Sequence, residues 1–336
     1  MKTVHTYAAK EAGAALEPYQ YELPDIRDEQ VDIKVHYCGI CHSDLSMINN
    51  EWGNAQFPLV PGHEVVGEII ATGSNVKNIK KGDYVGLGWF SESCMHCDQC
   101  MNGSHNLCAT KEEVIVGRHG GFADYVRCHW SWAIPLPKEI DMSKAGPLFC
   151  GGITVFNPIM STNVKPTNKV GVIGIGGLGH MAVQFLNKWG CEVIAFSSNP
   201  NKKDEILKMG AHKVVNSRDS SEMGKINGTL DFILNTTNVT LDWPGYLRVL
   251  APKGKLHNVG AVLEPMGIPA FSLIGGDKSV SGSPLGSPAL TRKMLEFCVR
   301  HNIYPITEEF SLDNVNEALN HLKEGKARYR VVLKVI

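Results

Sequence analysis

Four cysteines lie within fifteen residues in the pattern Cys94-x2-Cys97-x2-Cys100-x7-Cys108. Four thiolates on one tight loop suit the closed tetrahedral shell that structural zinc prefers. Gly103 supplies a turn inside the loop. His96 and His105 also lie within it and could compete as ligands, but four sulfurs already fill the shell, so both are expected to face solvent. The competing readings are buried free thiols, which rarely fall at this spacing, and disulfides, which a reducing compartment disfavours.

A second set is split along the chain. Cys41-His42-Ser43-Asp44 and Gly62-His63-Glu64 together offer a thiolate, an imidazole, two carboxylates and a hydroxyl. A catalytic zinc takes three protein ligands, Cys2His among the known sets, and keeps a position open for water or substrate. Cys41 and His63 supply two ligands, and Cys150, just before Gly151-Gly152, is the best third. Each also has a plainer reading: His63 as a hydrogen-bonded core histidine, Cys150 as a small buried apolar residue, Glu64 or Asp44 as surface acids. The residues alone leave both open. Cys38 forms a CxxC with Cys41, but a redox pair would need a thioredoxin-like βαβ context that is absent here.

Gly174-Ile175-Gly176-Gly177-Leu178-Gly179 follows a strand-like run and opens a helix-like one. In that context Gly174, Gly176, Gly177, Leu178 and Gly179 form a dinucleotide-binding turn, whose amides approach a pyrophosphate at the helix N-terminus. An NAD site usually places an acid about twenty residues further on, for the adenosine ribose. Here the chain reads Phe196-Ser197-Ser198-Asn199-Pro200-Asn201-Lys202-Lys203. Without the carboxylate a 2′-phosphate is not repelled, and Ser197, Ser198, Asn199, Lys202 and Lys203 offer it hydrogen bonds and positive charge, which points to NADP(H). Lys202 and Lys203 also read as a solvated helix start. Val259, at the end of a later strand, and Arg330, in the tail Arg328-Tyr329-Arg330, are further candidates for the cofactor site.

The elements that must position these residues follow from length and rhythm. A chain of 336 residues exceeds the roughly 250–300 at which one core stops growing, so two domains are expected. Short alternating runs at 31–35, 65–70 and 83–87, separated by glycines, read as a β-rich first part. After about residue 147 the rhythm becomes strand, glycine turn, helix. Strands are expected at 169–173, 192–196, near 214, at 230–234 and at 255–259, with helices through 186 and at 203–209, which gives a doubly wound parallel sheet. Helices at 289–301 and 315–323 and a strand at 330–335 close the chain.

Lys plus Arg at 33 against Asp plus Glu at 34 leaves a net charge of −1 with no block of one sign, so nucleic acid is not an expected partner. No apolar run reaches signal-peptide or membrane-span length, so neither export nor a membrane is expected, and the cytoplasm is the default location.

The ordered motifs Cys-Gly-Ile-Cys-His-Ser-Asp (38–44), Pro-Gly-His-Glu-Val-Val-Gly (61–67), the four-cysteine loop, Gly-Gly-Phe-Ala-Asp-Tyr (120–125) and the glycine turn at 174–179 resemble zinc-containing medium-chain alcohol dehydrogenases. Among these the chain looks most like the cinnamyl alcohol dehydrogenase branch. The resemblance implies an α/β protein with a GroES-like, β-rich catalytic domain at 1–147, an inserted Rossmann NADP-binding domain at 148–283, and a return to the catalytic domain at 284–336. It implies two Zn2+ per chain. Cys41, His63 and Cys150 match the catalytic ligands, Glu64 a carboxylate that can approach the metal, and Cys94, Cys97, Cys100 and Cys108 the structural site. Ser43 matches the hydroxyl facing the substrate oxygen, and Asp44 an acid that orients His63.

Two positions depart from that pattern. Ser46 stands where the branch commonly has a relay histidine, and Pro284 replaces a bulky aromatic of the substrate pocket, which leaves Trp52 and Trp89 as its aromatic lining. The implied activity is reversible hydride transfer between NADP(H) and a small-molecule alcohol/aldehyde pair, in a homodimer or homotetramer. An NAD-linked polyol dehydrogenase on the same fold and a zinc-ribbon binding protein without catalysis are the rival readings; the missing acid and Cys150 oppose the first, and neutral charge with a full second ligand set opposes the second.

Overall fold

Strand Gln30–Ile40 is buried at most positions on both faces, because partners cover all of it. Along one edge it pairs antiparallel with Val65–Thr72. The other edge is shared: Tyr125–His129 pairs with residues 30–34, and Arg330–Lys334 with residues 37–40. The sheet continues through Tyr84–Leu87 to Ile134–Pro135 on one side and from Arg330–Lys334 to Thr307–Ser311 on the other. Val31, Ile33, Leu59 and Phe122 share one core with Val315, Leu319 and Leu322 of helix Val315–Lys323 and with Val331 and Leu333. Residues from both ends of the sequence therefore bury one another's apolar surface.

This is a computed structural model describing residues 2–335. It divides into two units, Met1–Ile153 with Leu285–Ile336, and Thr154–Pro284. The division falls inside helix Gly151–Ser161, a few residues later than the sequence suggests. The cause is local. Phe149, at the end of the turn Gly146–Phe149, lays its ring against Gly86 of strand Tyr84–Leu87, where any Cβ would strike it. That contact joins the segment just before Cys150 to the sheet of the first unit.

The second unit holds six parallel strands in the spatial order Lys213–Val215, Glu192–Phe196, Lys169–Ile173, Leu230–Asn235, Leu250–Asn258, Ser279–Gly282. In chain order this is third, second, first, fourth, fifth, sixth, the doubly wound arrangement. The inner strands are continuous apolar runs, as expected where helices cover both faces. Helix Gly179–Trp189 ends at Gly190, whose φ of 108° makes the left-handed cap. The fifth strand begins at Leu250, earlier than its sequence pattern suggests, since Pro252 and the Lys253-Gly254 pair mask its start and the register shifts between Leu230 and Phe232. Among the described residues no helix is long and apolar enough to cross a membrane.

Buried His257 ties the fifth strand to the sixth. Its Nδ1 lies 2.9 Å from Ser281 Oγ, directly opposite in register, and its Nε2 2.9 Å from Ser283 Oγ. Burial pushes its pKa down to about 4. The folded value lies below the unfolded one of about 6.5, so the ring costs nothing above that pH, and stability is lost as the pH falls from about 6.5 to about 4 and the unfolded chain takes up the proton. Native protein should therefore lose folding free energy relative to His257→Gln across that window, by up to about 1.4 kcal/mol per pH unit, read as a falling melting temperature. Parallel melting curves for the two proteins at each pH would overturn this.

Candidate active site

Cys41 sits between strand Gln30–Ile40 and helix His42–Ile48, and the carboxylate of Asp44, fully buried, organises the turn. Asp44 Oδ2 accepts from the Cys41 amide at 2.9 Å, and Oδ1 accepts from the Gly62 amide at 2.9 Å and from His63 Nδ1 at 2.9 Å. One side chain thus fixes two chain segments and leaves Nε2 of His63 as the free ring nitrogen.

Nε2 of His63 lies 3.3 Å from Cys150 Sγ, and Cys150 Sγ lies 3.9 Å from Cys41 Sγ. Ligands on a tetrahedral zinc, with Zn–S of about 2.3 Å and Zn–N of about 2.0–2.1 Å, would be separated by about 3.5 Å (S to N) and about 3.8 Å (S to S). The donor set therefore fits this metal. The fourth member is Glu64, also fully buried: one carboxylate oxygen accepts from Arg330 Nη2, while Oε2 is enclosed without a hydrogen-bond partner, and all four ligand atoms lie within 4.8 Å of one another.

Protons in this cluster are unevenly shared. A hydrogen bond from Cys150 holds the Cys41 thiol well below its usual range against the effect of burial, while Cys150 is pushed up by the same bond and by burial. Burial opposes a charged His63, but Asp44 and then Cys41 outweigh it and raise its pKa. Burial also raises Glu64, with Arg330 opposing. Metal ligation by these groups requires them without their protons, so metal binding would release protons from the cluster.

Trp89 stands edge-on to His63 at 4.9 Å between ring centroids, and Trp52 packs edge-on to Trp89 at 5.8 Å. The two indoles, both half-buried, make an aromatic wall beside the ligand histidine. Ser43, also half-buried, holds its Oγ 3.7 Å from Cys41 Sγ. Ser46, one turn along the same helix face, donates to Glu51 at 2.7 Å, and Asn49 donates to the other oxygen of that carboxylate at 3.1 Å. These two bonds hold Glu51 below the usual carboxylate range. His42 is exposed.

In the four-cysteine loop the sulfurs of Cys94 and Cys100 are 4.0 Å apart, the Cys97 amide donates to Cys94 Sγ at 3.3 Å, and the Cys94 amide donates to Cys108 Sγ at 3.5 Å. All four sulfurs lie within 4.8 Å. Gly103, at φ 77°, makes the turn. His96 is exposed, but His105 is half-buried, with Nδ1 shut away from water. The reason is that it opens the turn His105–Leu107, which folds inward to bury Asn106 and let its Nδ2 donate to the Leu285 carbonyl at 2.7 Å.

In the second unit Gly174, at φ 83°, ends the first strand, and a Cβ there would run into the Thr237 methyl. A Cβ at Gly179 would meet the Gly174 carbonyl, whereas at Gly176 it would meet nothing within 4 Å. The turn is thus tight against the protein and open on the Gly176 side, where Gly177 and the helix start at Leu178 also lie. Beyond strand Glu192–Phe196, Ser197 is half-buried and Ser198, Asn199, Lys202 and Lys203 are exposed; the Asn199 amide donates to Ser197 Oγ at 3.3 Å. Val259 follows the fifth strand, its amide bonded to the Asn235 carbonyl at 3.0 Å.

Two candidates have surroundings that local spacing does not show. Arg330, read among the cofactor residues, lies in the first unit, 3% exposed, with its guanidinium held by Glu64; burial opposes its charge, but Glu64, Cys41 and Cys150 outweigh this and raise its pKa. Its partner is set by the pairing of Arg330–Lys334 with Gln30–Ile40, which no local sequence pattern reveals. Pro284, read as pocket lining, is an exposed residue of the second unit whose carbonyl accepts from Asn157 Nδ2 at 3.1 Å.

Comparison with known proteins agrees with this architecture. The alcohol dehydrogenase GroES-like domain family matches residues 27–138, and the zinc-binding dehydrogenase family matches residues 177–300. An aldehyde reductase of Synechocystis sp. is 54% identical over 330 residues, covering 98% of each chain. The structure of a cinnamyl alcohol dehydrogenase from Sorghum bicolor superposes with a TM-score of 0.95 at 38% identity, over 99% of this chain and 98% of that one. That of CAD from Helicobacter pylori complexed with NADP(H) gives 0.91 at 30% identity, over 99% and 98%. Similarity of this depth covers nearly the whole chain, both units included, and so the chain belongs to the zinc-containing medium-chain alcohol dehydrogenases, in their cinnamyl alcohol dehydrogenase-like branch, and acts as an alcohol dehydrogenase/aldehyde reductase.

Proposed function

We propose that this enzyme reduces aldehydes with NADPH, using a zinc ligated by Cys41, His63 and Cys150, and that a second zinc held by Cys94, Cys97, Cys100 and Cys108 braces the loop. The observation that carries the reading is the meeting of Cys41, His63 and Cys150 at ligand spacing around one buried carboxylate, beside an aromatic wall. When bound, the metal supplies a Lewis acid for the substrate oxygen and the cofactor supplies the hydride.

The chain's own residues do the rest. Asp44 is a positioning residue that holds His63 in the tautomer with its proton on Nδ1. Trp52 and Trp89 receive the apolar body of an aromatic or aliphatic aldehyde and exclude water from the ligand histidine. Ser43 Oγ, beside Cys41, passes a proton to the substrate oxygen and takes one in turn from water. Glu64, whose Oε2 is unpartnered and whose carboxylate lies within reach of the three donors, could serve as an alternate ligand to the metal. The cysteines of the described residues are all free, which suits a reducing compartment such as the cytoplasm.

The NADPH preference rests on Ser197, Ser198, Asn199, Lys202 and Lys203 at the end of the second strand, where no acid stands. Ser198→Asp would add a ribose acceptor and repel the 2′-phosphate. The ratio of kcat/KM for NADPH over NADH is expected to fall by about ten- to a hundredfold in that variant. Faster turnover of the native enzyme with NADH at matched low concentrations would show that the pocket has been misread.

A further inference from the structure

The carboxyl ends of the fourth and fifth strands carry a polar network that the hydride chemistry above does not use. Asn235, fully buried, stands directly opposite Asn258 in the parallel register. Its Nδ2 donates to Asn258 Oδ1 at 2.6 Å and to the Thr237 carbonyl at 3.3 Å. Its Oδ1 accepts from the Thr237 amide at 3.2 Å and from Thr237 Oγ1 at 2.8 Å. Asn258 Nδ2 then donates to the Gly260 carbonyl at 2.9 Å. Every donor and acceptor of the Asn235 amide is engaged, with three of its four bonds going to Thr237, after the fourth strand, and one to Asn258 on the fifth.

The same segments meet elsewhere. The Val259 amide donates to the Asn235 carbonyl at 3.0 Å. Gly260 packs so closely on the Thr237 backbone that a Cβ there would overlap it. Thr236 Oγ1 donates to the carbonyls of Gly174 at 2.7 Å and Ile173 at 2.9 Å, so the glycine turn is tied in as well. An apolar core strand would not need this network; fully satisfied buried amides fix a single arrangement of the backbone they hold.

Position gives it a role. In a doubly wound sheet the dinucleotide lies across the carboxyl ends at the strand-order reversal, here between Lys169–Ile173 and Leu230–Asn235. The adenosine half belongs with the first three strands, since the ribose-contacting position follows the second. The nicotinamide half therefore falls on the ends of the fourth and fifth strands. We infer that the Asn235–Asn258 amide pair is a positioning device for the nicotinamide half of the cofactor, clamping residues 236–237 and 259–260 into one preset edge. This rests on the dinucleotide reading of the second unit.

The test separates the two halves of the ligand. Dissociation constants for NADPH, which spans both halves, and for 2′,5′-ADP, which carries only the adenosine half, are measured with the zinc-loaded native enzyme and with Asn235→Ala, Asn258→Ala and the double variant. Each single substitution should weaken NADPH about tenfold and leave 2′,5′-ADP within about twofold, and the double variant should be no worse than the weaker single, because the pair acts as one unit. Thr237→Val, which keeps shape and removes only the hydroxyl bond to Asn235, should give a smaller loss with the same selectivity for NADPH and covers the case in which an alanine variant does not fold. Equal losses for both ligands, or no loss for NADPH, would overturn the positioning role while leaving the dinucleotide reading standing. Native enzyme that binds neither ligand would overturn both, and if it binds NADH instead, the same comparison is made with NADH and 5′-AMP.

Discussion

Replacing Cys41 with alanine is expected to slow aldehyde reduction by about a thousandfold or more in a chain that still folds and still holds one metal ion. Cys41 lies at the start of a short helix whose turn is held by Asp44 through the backbone amide, so the fold around it does not depend on the sulfur. The sulfur itself is one of three donors spaced for zinc, and two remaining ligands would hold the metal weakly. Several kcal/mol of transition-state stabilisation from a Lewis acid correspond to the stated factor. Cys97→Ala should behave differently: its loop is tied by backbone-to-sulfur bonds among the cysteines, and losing one member should lower melting temperature and metal content first and activity only as a consequence. Elemental analysis with turnover on both variants decides the matter. Full activity in protein with fewer than two metals per chain, or in Cys41→Ala, would contradict the two-site assignment.

Arg330→Ala should be among the most destabilising substitutions in the first unit. Arg330 and Glu64 are both buried and paired, and removing the guanidinium leaves a carboxylate in the interior with neither oxygen compensated. Breaking such a pair from one side costs about 3–5 kcal/mol, which in a unit of this size lowers the melting temperature by about 10 °C. Arg330→Met combined with Glu64→Met should recover much of that loss, because a buried pair replaced on both sides by apolar groups of similar size is close to neutral. Thermal unfolding of the three proteins is the measurement. An unchanged melting temperature in Arg330→Ala would mean that the Glu64 carboxyl is already neutralised by a proton or a metal.

The four-cysteine cluster was legible because its spacing is local, whereas Cys41, His63 and Cys150 are scattered and only the family resemblance assembled them. The four-cysteine loop, the Cys41 turn and the glycine turn each fit within a short stretch, and the structure closes each into the geometry its spacing implies. Asp44 was half legible: its place beside Cys41 marked it, while its bond to the Gly62 amide depends on a chain crossing that spacing does not encode. Glu64 and Arg330 are 266 residues apart, and only the pairing of Arg330–Lys334 with Gln30–Ile40 brings them together. Asn235 and Asn258 were silent for the same reason, since parallel register sets their partnership. Helix Gly151–Ser161 was hidden by its opening glycines and by Pro158, residues that disfavour helix and are overridden by packing.

The shared edge of strand Gln30–Ile40 also bears on synthesis. Arg330–Lys334 pairs with residues 37–40 and Thr307–Ser311 pairs with Arg330–Lys334, and both are translated after the whole of the second unit, whose six strands are continuous in sequence. Domains fold as units while the chain emerges, so the nucleotide-binding unit is complete on the ribosome when the sheet bearing Cys41 still lacks two strands and Glu64 still lacks its guanidinium. Until the last strand docks, the Glu64 carboxylate therefore has no guanidinium to pair with.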